Sequence, residues 1–322
     1  MEKNEFDVVV VGGGAAGLAA ALQLGRARRS VVVADAGEPR NAPAAHMHGY
    51  LGHDGRPPQD FLAIARDEAR RYGAEIVSGA VTRVTRRADT GGDDPRFVVE
   101  LADGTTTITG RVVLLATGLV DELPDIPGVA EQWGRGVLHC PYCHGWEVRD
   151  HRIVVIATSI MATHQALLFR QLSELVTVVV HEPGIVSEDD QTKLRARGVH
   201  LEAGPVAEVV ADDTDAVAGV RMADGRTLDA DAVVVGPRFV ARTELLDGLG
   251  LVPVPAPMGR GERIDADIRG ATSVPGVYAA GNAVDPSHQV LHAAADGSRV
   301  AQFINADLVE RDITASRAAA TA

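Results

Sequence analysis

A chain of 322 residues, 46% hydrophobic and 23% charged, is long enough to bury a large core and has the balance of a folded globular protein, not of a disordered or fibrous one. Its formal net charge of -13 repels phosphate backbones and anionic headgroups, so no nucleic acid and no membrane surface is expected as a partner. No apolar run reaches the roughly 18 residues of a membrane span. The polar start Met1-Glu2-Lys3-Asn4-Glu5 lacks the pattern of a signal peptide, so a cytoplasmic protein is expected.

Phe6 to Val11 forms an apolar run that ends in Gly12-Gly13-Gly14-Ala15-Ala16-Gly17. An Ala/Leu-rich stretch then carries helical spacing to about Arg28, and Val31 to Ala34 is a second strand. Residues 88–95 cluster Asp, Gly and Pro and read as a solvated hairpin loop. Val98 to Gly118 and Val220 to Gly236 echo one another. Each reads as a strand, an Ala-Asp-Gly turn, a strand, and an apolar strand ending in glycine, with Ala102-Asp103-Gly104 and Ala223-Asp224-Gly225 as the hairpin signals. Between the echoes, Arg152 to Ala157 reads as a strand, Ala162 to Leu175 as a helix and Val176 to Val180 as a strand. Gly276 to Ala280 returns to a strand before Gly281-Asn282 and a terminal helix, whose Ala-rich tail after Asp312 is expected to fray.

This repetition predicts an α/β fold of two Rossmann-like, three-layer nucleotide-binding domains, the second inserted into the first. The expected borders give a discontinuous first domain of residues 1–118 and 245–322. Residues 119–244 form the inserted domain, which carries both cysteines of the chain.

Gly12, Gly14 and Gly17 match GxGxxG directly after a strand and at a helix start, the context that gives this pattern its meaning. Gly12 permits the tight turn, Gly14 lets the backbone approach a pyrophosphate, and Gly17 allows close packing of the helix. The helix start at Ala15 and Ala16 offers N–H groups to phosphate oxygens. Asp35 lies about 20 residues on, at the end of the second strand, where a carboxylate accepts hydrogen bonds from ribose hydroxyls. A glycine turn that binds nothing is the alternative, and the motif alone does not separate FAD from NAD.

The two cysteines form Cys140-Pro141-Tyr142-Cys143-His144-Gly145. The CxxC spacing allows an intramolecular disulfide within one turn, and a helix start at such a motif lowers a thiol pKa. His144 follows directly, and an ordinary imidazole value of about 6.5 lets it exchange protons with a thiol near neutral pH. Zinc competes as a reading but needs a second ligand pair, and His139 and His144 flank the cysteines too closely for all four to converge easily. An inert buried pair is the other alternative. No metal is expected at His46, His48 and His53 either; these read as a loop over a cofactor, without nearby Cys or carboxylate ligands.

With the GxGxxG turn, the segment Leu114-Leu115-Ala116-Thr117-Gly118, the stretch Gly276 to Asn282 and the CxxC in place, residues 6 to 305 resemble the low-molecular-weight thioredoxin reductases. The resemblance implies FAD, with Ala116, Thr117 and Gly118 in one conserved-type segment and Gly281-Asn282 where relatives use Gly-Asp to hold the ribityl chain. It places Gln289 and Val290 beside the flavin pyrimidine edge, His48 near the flavin, and Arg40 and Asn41 towards the adenosine end. It further implies that Cys143 faces the flavin, that Cys140 is the exchange thiol, and that the protein is a homodimer. Relatives carry an acidic proton donor directly after the second cysteine, whereas this chain has His144. That departure, with Arg40-Asn41 and the stretch from His48 to Gly55, resembles a subgroup of dithiol oxidases that close disulfides in natural products of the gliotoxin and holomycin type.

A nicotinamide-binding inserted domain needs its own glycine turn, yet Ala157-Thr158-Ser159-Ile160-Met161-Ala162 contains no glycine. Where NADPH-using relatives place His-Arg-Arg, the chain has His181-Glu182-Pro183, and a carboxylate repels the 2′-phosphate. The expected function is therefore an FAD-dependent dithiol oxidase in which a small-molecule dithiol reduces the Cys140–Cys143 disulfide and O2 finally takes the electrons, giving H2O2. A disulfide reductase fed by NAD(P)H or ferredoxin and a flavin-bound redox sensor are the alternatives. His288 and His292 receive no role.

Overall fold

A computed structural model describes residues 5–87 and 96–321; the loop expected at 88–95 lies outside the described residues. The chain divides into two compact units. One comprises Met1–Ala42, Pro58–Val120 and Phe239–Ala322, the other Pro43–Pro57 and Asp121–Arg238. The short segment Pro43–Pro57 thus belongs with the second unit, and not with the first as the borders expected from the sequence have it. Contacts explain the difference: Pro43 packs so closely on Gly134 that a Cβ there would come within 2.7 Å of the proline ring, and His48 pairs with Glu147.

The first unit begins with β1 (Glu5–Val11), α1 (Ala15–Arg26) and β2 (Val31–Asp35). It continues through α2 (Pro58–Arg71), β3 (Glu75–Ser78), β4 (Val81–Arg86), β5 (Phe97–Leu101) and β6 (Thr107–Leu115). Its sheet runs β3-β2-β1-β6-β5-β4, and the strand Val277–Ala279 pairs with β6. Val10 sits in parallel register with Val33 on one side and Leu114 on the other. The valine-rich sequence of β1 follows from this position, because a central parallel strand is covered on both faces. Val9 and Val11 join Val113 and Leu115 in one core. Val8 and Val10 join Val112 and Leu114 in the other, under Ala16, Ala20 and Leu24 of α1 and Ala301, Ile304 and Leu308 of the terminal helix Val290–Thr321.

That terminal helix continues past Asp312 to Thr321, where the sequence predicts a frayed tail. Alanine is the strongest helix former, and Asp312 is tied by Arg29 at 2.8 Å and Arg111 at 2.7 Å, which fixes the start of the tail. The first of the two echoing stretches also differs from expectation, since β6 runs unbroken where two strands were expected.

The second unit holds a parallel sheet ordered His200–Ala203, Val176–Val180, Ile153–Ile156, Ala232–Val234 and Val137–Leu138, and beside it an antiparallel sheet of Val206–Ala211, Val217–Met222 and Thr227–Asp229. The helix expected over 162–175 ends at Phe169. Ser173 stops it: its hydroxyl donates to the His151 carbonyl and accepts from the Leu175 amide, bonds that a continued helix would forfeit. The α/β architecture is therefore two Rossmann-like, three-layer units, the second inserted in the sequence of the first.

Candidate active site

In the first unit the C-terminal ends of β1, β6 and Val277–Ala279 converge. The Ala116 amide donates to Val11 O at 2.9 Å and the Ala280 amide to Leu115 O at 3.1 Å. Gly12 adopts φ +107°, and a Cβ on it would lie 2.4 Å from the Ala116 carbonyl oxygen, so only glycine lets β1 turn this close to β6. A Cβ on Gly17 would meet the Gly12 oxygen at 2.0 Å, which fixes how tightly α1 sits on the turn. Gly14 behaves differently. It is the N-cap of α1, no side chain caps that end, and nothing lies within 4 Å of where its Cβ would be.

These observations test whether the residues fit FAD. The open space over Gly14, beside the helix start at Ala15 and Ala16, suits a pyrophosphate. Thr117, between Ala116 and Gly118, carries a buried hydroxyl with no hydrogen-bond partner among the described residues, an atom that awaits a ligand. The fit holds. Asp35 sits at the end of β2 as expected, accepting from the Gly13 amide at 3.3 Å, the Gly37 amide at 3.1 Å and Arg66 Nη2 at 2.9 Å. Three of roughly four lone-pair sites are thus used, and one remains for a ribose hydroxyl.

Gly281 (φ +74°) lies against Ala16 of α1, and its amide donates to the buried Asp296 at 2.8 Å. Asn282 donates through Nδ2 to the carbonyls of Asp285, Pro286 and His288 at 3.2, 3.3 and 2.8 Å. Gln289 and Val290 follow at the start of the terminal helix, where the Gln289 carbonyl accepts the Ala293 amide and the Gln289 amide donates to His292 Nδ1. Arg40 donates to Pro286 O at 3.4 Å and stacks over Phe239, which sets it beside the Asn282 loop; Asn41 follows it in the same unit.

The dithiol belongs to the second unit. Cys140 is the N-cap of a single helical turn, Pro141–His144, and both cysteines are half-buried. Pro141 at the first helical position is pre-set for the turn, and the Cys143 and His144 amides both donate to Cys140 O at 3.2 Å. Gly145 permits close seating on Leu172, whose Cδ1 lies 2.4 Å from where a Cβ would be. Gln165, buried, donates to the His139 and Val235 carbonyls at 3.0 and 3.2 Å and so anchors the residue before Cys140. Burial holds His144 below the ordinary histidine range; Glu147 pulls the other way and His48 adds to the lowering. His144 is therefore a neutral base at neutral pH, and its Nε2 is buried without a hydrogen-bond partner among the described residues.

His48 also lies in this unit, with Glu147 3.4 Å from Nε2 and Asp54 3.5 Å from Nδ1. The expectation of a histidine loop without nearby carboxylates is thus not met. Among the described residues no group of three or more His, Cys, Asp or Glu is arranged to hold a metal ion, and no helix is long and apolar enough to cross a membrane. Sequence reasoning missed Asp296, Arg66, Gln165 and Glu147. An aspartate directly after the Ala293-Ala294-Ala295 run was the one readable signal, since a carboxylate on the buried side of a helix needs a partner.

The turn after Ile153–Ile156 is closed on itself. Ala157 is fully buried, Ser159 Oγ accepts the Met161 amide at 3.3 Å, and the same hydroxyl sits 2.6 Å from where a Cβ on Gly236 would be. His181 Nδ1 accepts the Val206 amide at 2.9 Å and is used structurally.

A flavin-fitting glycine turn in one Rossmann-like unit and a CxxC in a second, inserted unit define an FAD-binding flavoprotein oxidoreductase. The chain belongs to the pyridine nucleotide-disulphide oxidoreductase family, which it matches over residues 6–298. It is 33% identical to the thioredoxin reductase sirT of Leptosphaeria maculans over 96% of each chain. Among solved structures it is similar to HlmI (45% identity, TM-score 0.91, covering 100% of this chain and 98% of the other). It is also similar to an oxidoreductase from Agrobacterium tumefaciens (37%, TM-score 0.85, 95% and 99%).

Proposed function

We propose that the protein is a dithiol oxidase that closes a disulfide in a small-molecule, natural-product dithiol, with O2 as the electron acceptor. The observation that carries this reading is the turn Ala157 to Ala162, where Ser159 occupies the Met161 amide and no glycine admits a pyrophosphate. Without a nicotinamide feed, the dithiol centre is the entry for electrons that the chain itself provides. The similarity to HlmI and to sirT, together with Cys-Pro-Tyr-Cys-His, supports the resemblance to the gliotoxin- and holomycin-type oxidases. Exposed Tyr142, Trp146 and Leu51 add apolar surface for a substrate body.

In this reading a substrate thiol gives its proton to neutral His144 and attacks Cys140 Sγ of the Cys140–Cys143 disulfide, expelling the Cys143 thiolate. His144 hands that proton to the Cys143 thiolate and takes the proton of the second substrate thiol, whose thiolate attacks the substrate sulfur of the mixed disulfide and expels the Cys140 thiolate; His144 protonates Cys140, so the substrate leaves as a disulfide and the protein keeps both electrons as a dithiol. FAD, when bound, supplies the two-electron acceptor that re-forms the disulfide and the outlet to O2 that yields H2O2. The homodimer implied by the family resemblance belongs to the same reading.

The test is an anaerobic stopped-flow titration of the yellow protein against NADPH, NADH and a small dithiol separately, followed at the flavin absorbance. Bleaching by the dithiol alone, with oxygen restoring the colour and peroxide appearing, is expected. Rapid full bleaching by NADPH would reject the oxidase in favour of a thioredoxin-type reductase.

A further inference from the structure

The loop around His48 is a built element. The Met47 amide donates to Arg56 O and the Gly55 amide to Met47 O, both at 2.9 Å, which closes the loop at its base. Asp54 accepts the Gly49 amide at 2.8 Å and stands 3.5 Å from His48 Nδ1. On its other side His48 Nε2 is 3.4 Å from Glu147 Oε1. His48 is therefore held between two carboxylates, with a side chain 22% exposed, while His46 lies beyond at 6.5 Å between ring centroids. Glu147 is three residues past His144, and the buried His144 Nε2 has no hydrogen bond of its own among the described residues.

With no bonded partner on Nε2, the proton balance of His144 is left to burial and to the charges that face it. Among the described residues the Glu147 carboxylate and the His48 imidazole bear on it, in opposite senses, beside the thiols of Cys140 and Cys143 in its own turn. A carboxylate favours the imidazolium, whereas a second cation disfavours it. The His48–Glu147 contact makes the two effects interdependent, because protonated His48 also neutralises the carboxylate that His144 feels.

We propose that Glu147 and His48 are positioning residues of the dithiol centre, which act through His144: the loop of residues 46–56 brings His48 onto Glu147 and so sets the pH range over which His144 takes the thiol proton. The proposal rests on His144 as the proton acceptor of the exchange reaction. It holds whichever way electrons flow, and neither residue needs to touch substrate. It also assigns His48 a place that the family resemblance, which put it near the flavin, does not.

The test uses the FAD-loaded protein and follows the imidazole resonances by NMR across pH 4 to 9, a range spanning about two units on either side of the ordinary histidine value. The His144 signal is assigned by its loss in His144→Gln. In Glu147→Gln the His144 midpoint should fall by roughly half to one unit, and in His48→Gln it should rise, by a smaller amount. The double variant should lie between them, and Glu147→Asp should stay at the wild-type value. The pH profile of Cys140 alkylation by iodoacetamide in the reduced protein should move in the same directions. Flavin absorbance reports that each variant is folded. Unmoved midpoints with alkylation slowed at every pH would mean a merely structural loop and overturn the proposal, and so would two variants shifting the same way. Since neither readout uses a dithiol substrate, a failure of the oxidase reading would leave these results intact and recognisable.

Discussion

Asn282 closes its own loop by donating to the His288 carbonyl at 2.8 Å, with the Asp285 and Pro286 carbonyls at 3.2 and 3.3 Å around the same nitrogen. An aspartate, which the resemblance to the thioredoxin reductases implies at this point, has no donor to offer these carbonyls. Asn282 supplies a donor here, and the loop is built on it.

It follows that Asn282→Asp should destabilise more than Asn282→Ala. Alanine leaves the carbonyls without their side-chain partner, at a cost of about 1 kcal/mol, whereas aspartate sets a carboxylate against them and adds a further penalty of about 1 to 3 kcal/mol. Thermal unfolding of the two variants, scored together with retained FAD, checks the order. Equal melting points for the two variants would show that the carboxylate adds no penalty, and a wild-type melting point in Asn282→Ala would show that the Asn282 side chain carries no net stability.

Gly14 and Gly17 should fail in different ways. Gly14 has extended backbone and open space over it, so Gly14→Val should fold with a near-normal melting point as the apoprotein yet purify colourless, because the branched side chain fills the space the pyrophosphate needs. Gly17→Ala pushes a methyl group to 2.0 Å from a backbone oxygen and should lower the melting point as well. Absorbance at the flavin band and differential scanning calorimetry separate the two outcomes. A yellow Gly14→Val protein would contradict the placement of the cofactor.

The division of labour between the cysteines has a direct chemical test. If Cys140 is the exchange thiol, Cys143→Ser leaves it unable to resolve a mixed disulfide, and a covalent adduct with an added small-molecule disulfide should accumulate and be visible by intact mass. Cys140→Ser should form such an adduct at least about tenfold more slowly, for a remaining thiol that is not the one met by substrate. Faster labelling of Cys140→Ser than of Cys143→Ser would reverse the two roles.

How far the sequence carried this picture depended on whether a residue's task was local. Gly12, Gly14 and Gly17 were legible because each serves the turn it sits in, and the valines of β1 because a continuous apolar run reports a strand covered on both faces. Pro43–Pro57 was not, since its membership in the second unit comes from Pro43 meeting Gly134 and His48 meeting Glu147, partners about 90 to 100 positions away that no periodicity announces. Asp296 and Gln165 were hidden for the same reason: each looks like one more residue of an apolar helix until the Gly281 amide or the His139 carbonyl is seen against it. The tail after Asp312 failed in the other direction. Its composition promised fraying, but alanine sustains a helix whose start is already fixed by Arg29 and Arg111.

His144 ties stability and activity to pH through one group. Burial lowers its proton affinity in the folded state, so between the unfolded value of about 6.5 and the lower folded value the unfolded chain binds a proton that the folded chain does not. The sign follows from that difference. The contribution is full above pH 6.5 and is lost as pH falls through the ordinary histidine range towards the folded value, so acid destabilises the native state at this site. His144→Gln cannot take up that proton, and its stability should fall less steeply than that of the wild type on going from neutral pH to pH 5, as read from urea midpoints at matched ionic strength. The same lowered affinity keeps His144 neutral, and able to accept a thiol proton, at neutral pH and into mild acid. The dithiol half-reaction should therefore stay level around neutrality and decline only below the usual histidine range, while His144→Gln should be slower by about 10²- to 10⁴-fold and lose that acid limb. An acid limb that survives unchanged in His144→Gln would assign the titration to another group and remove His144 from the proton transfer.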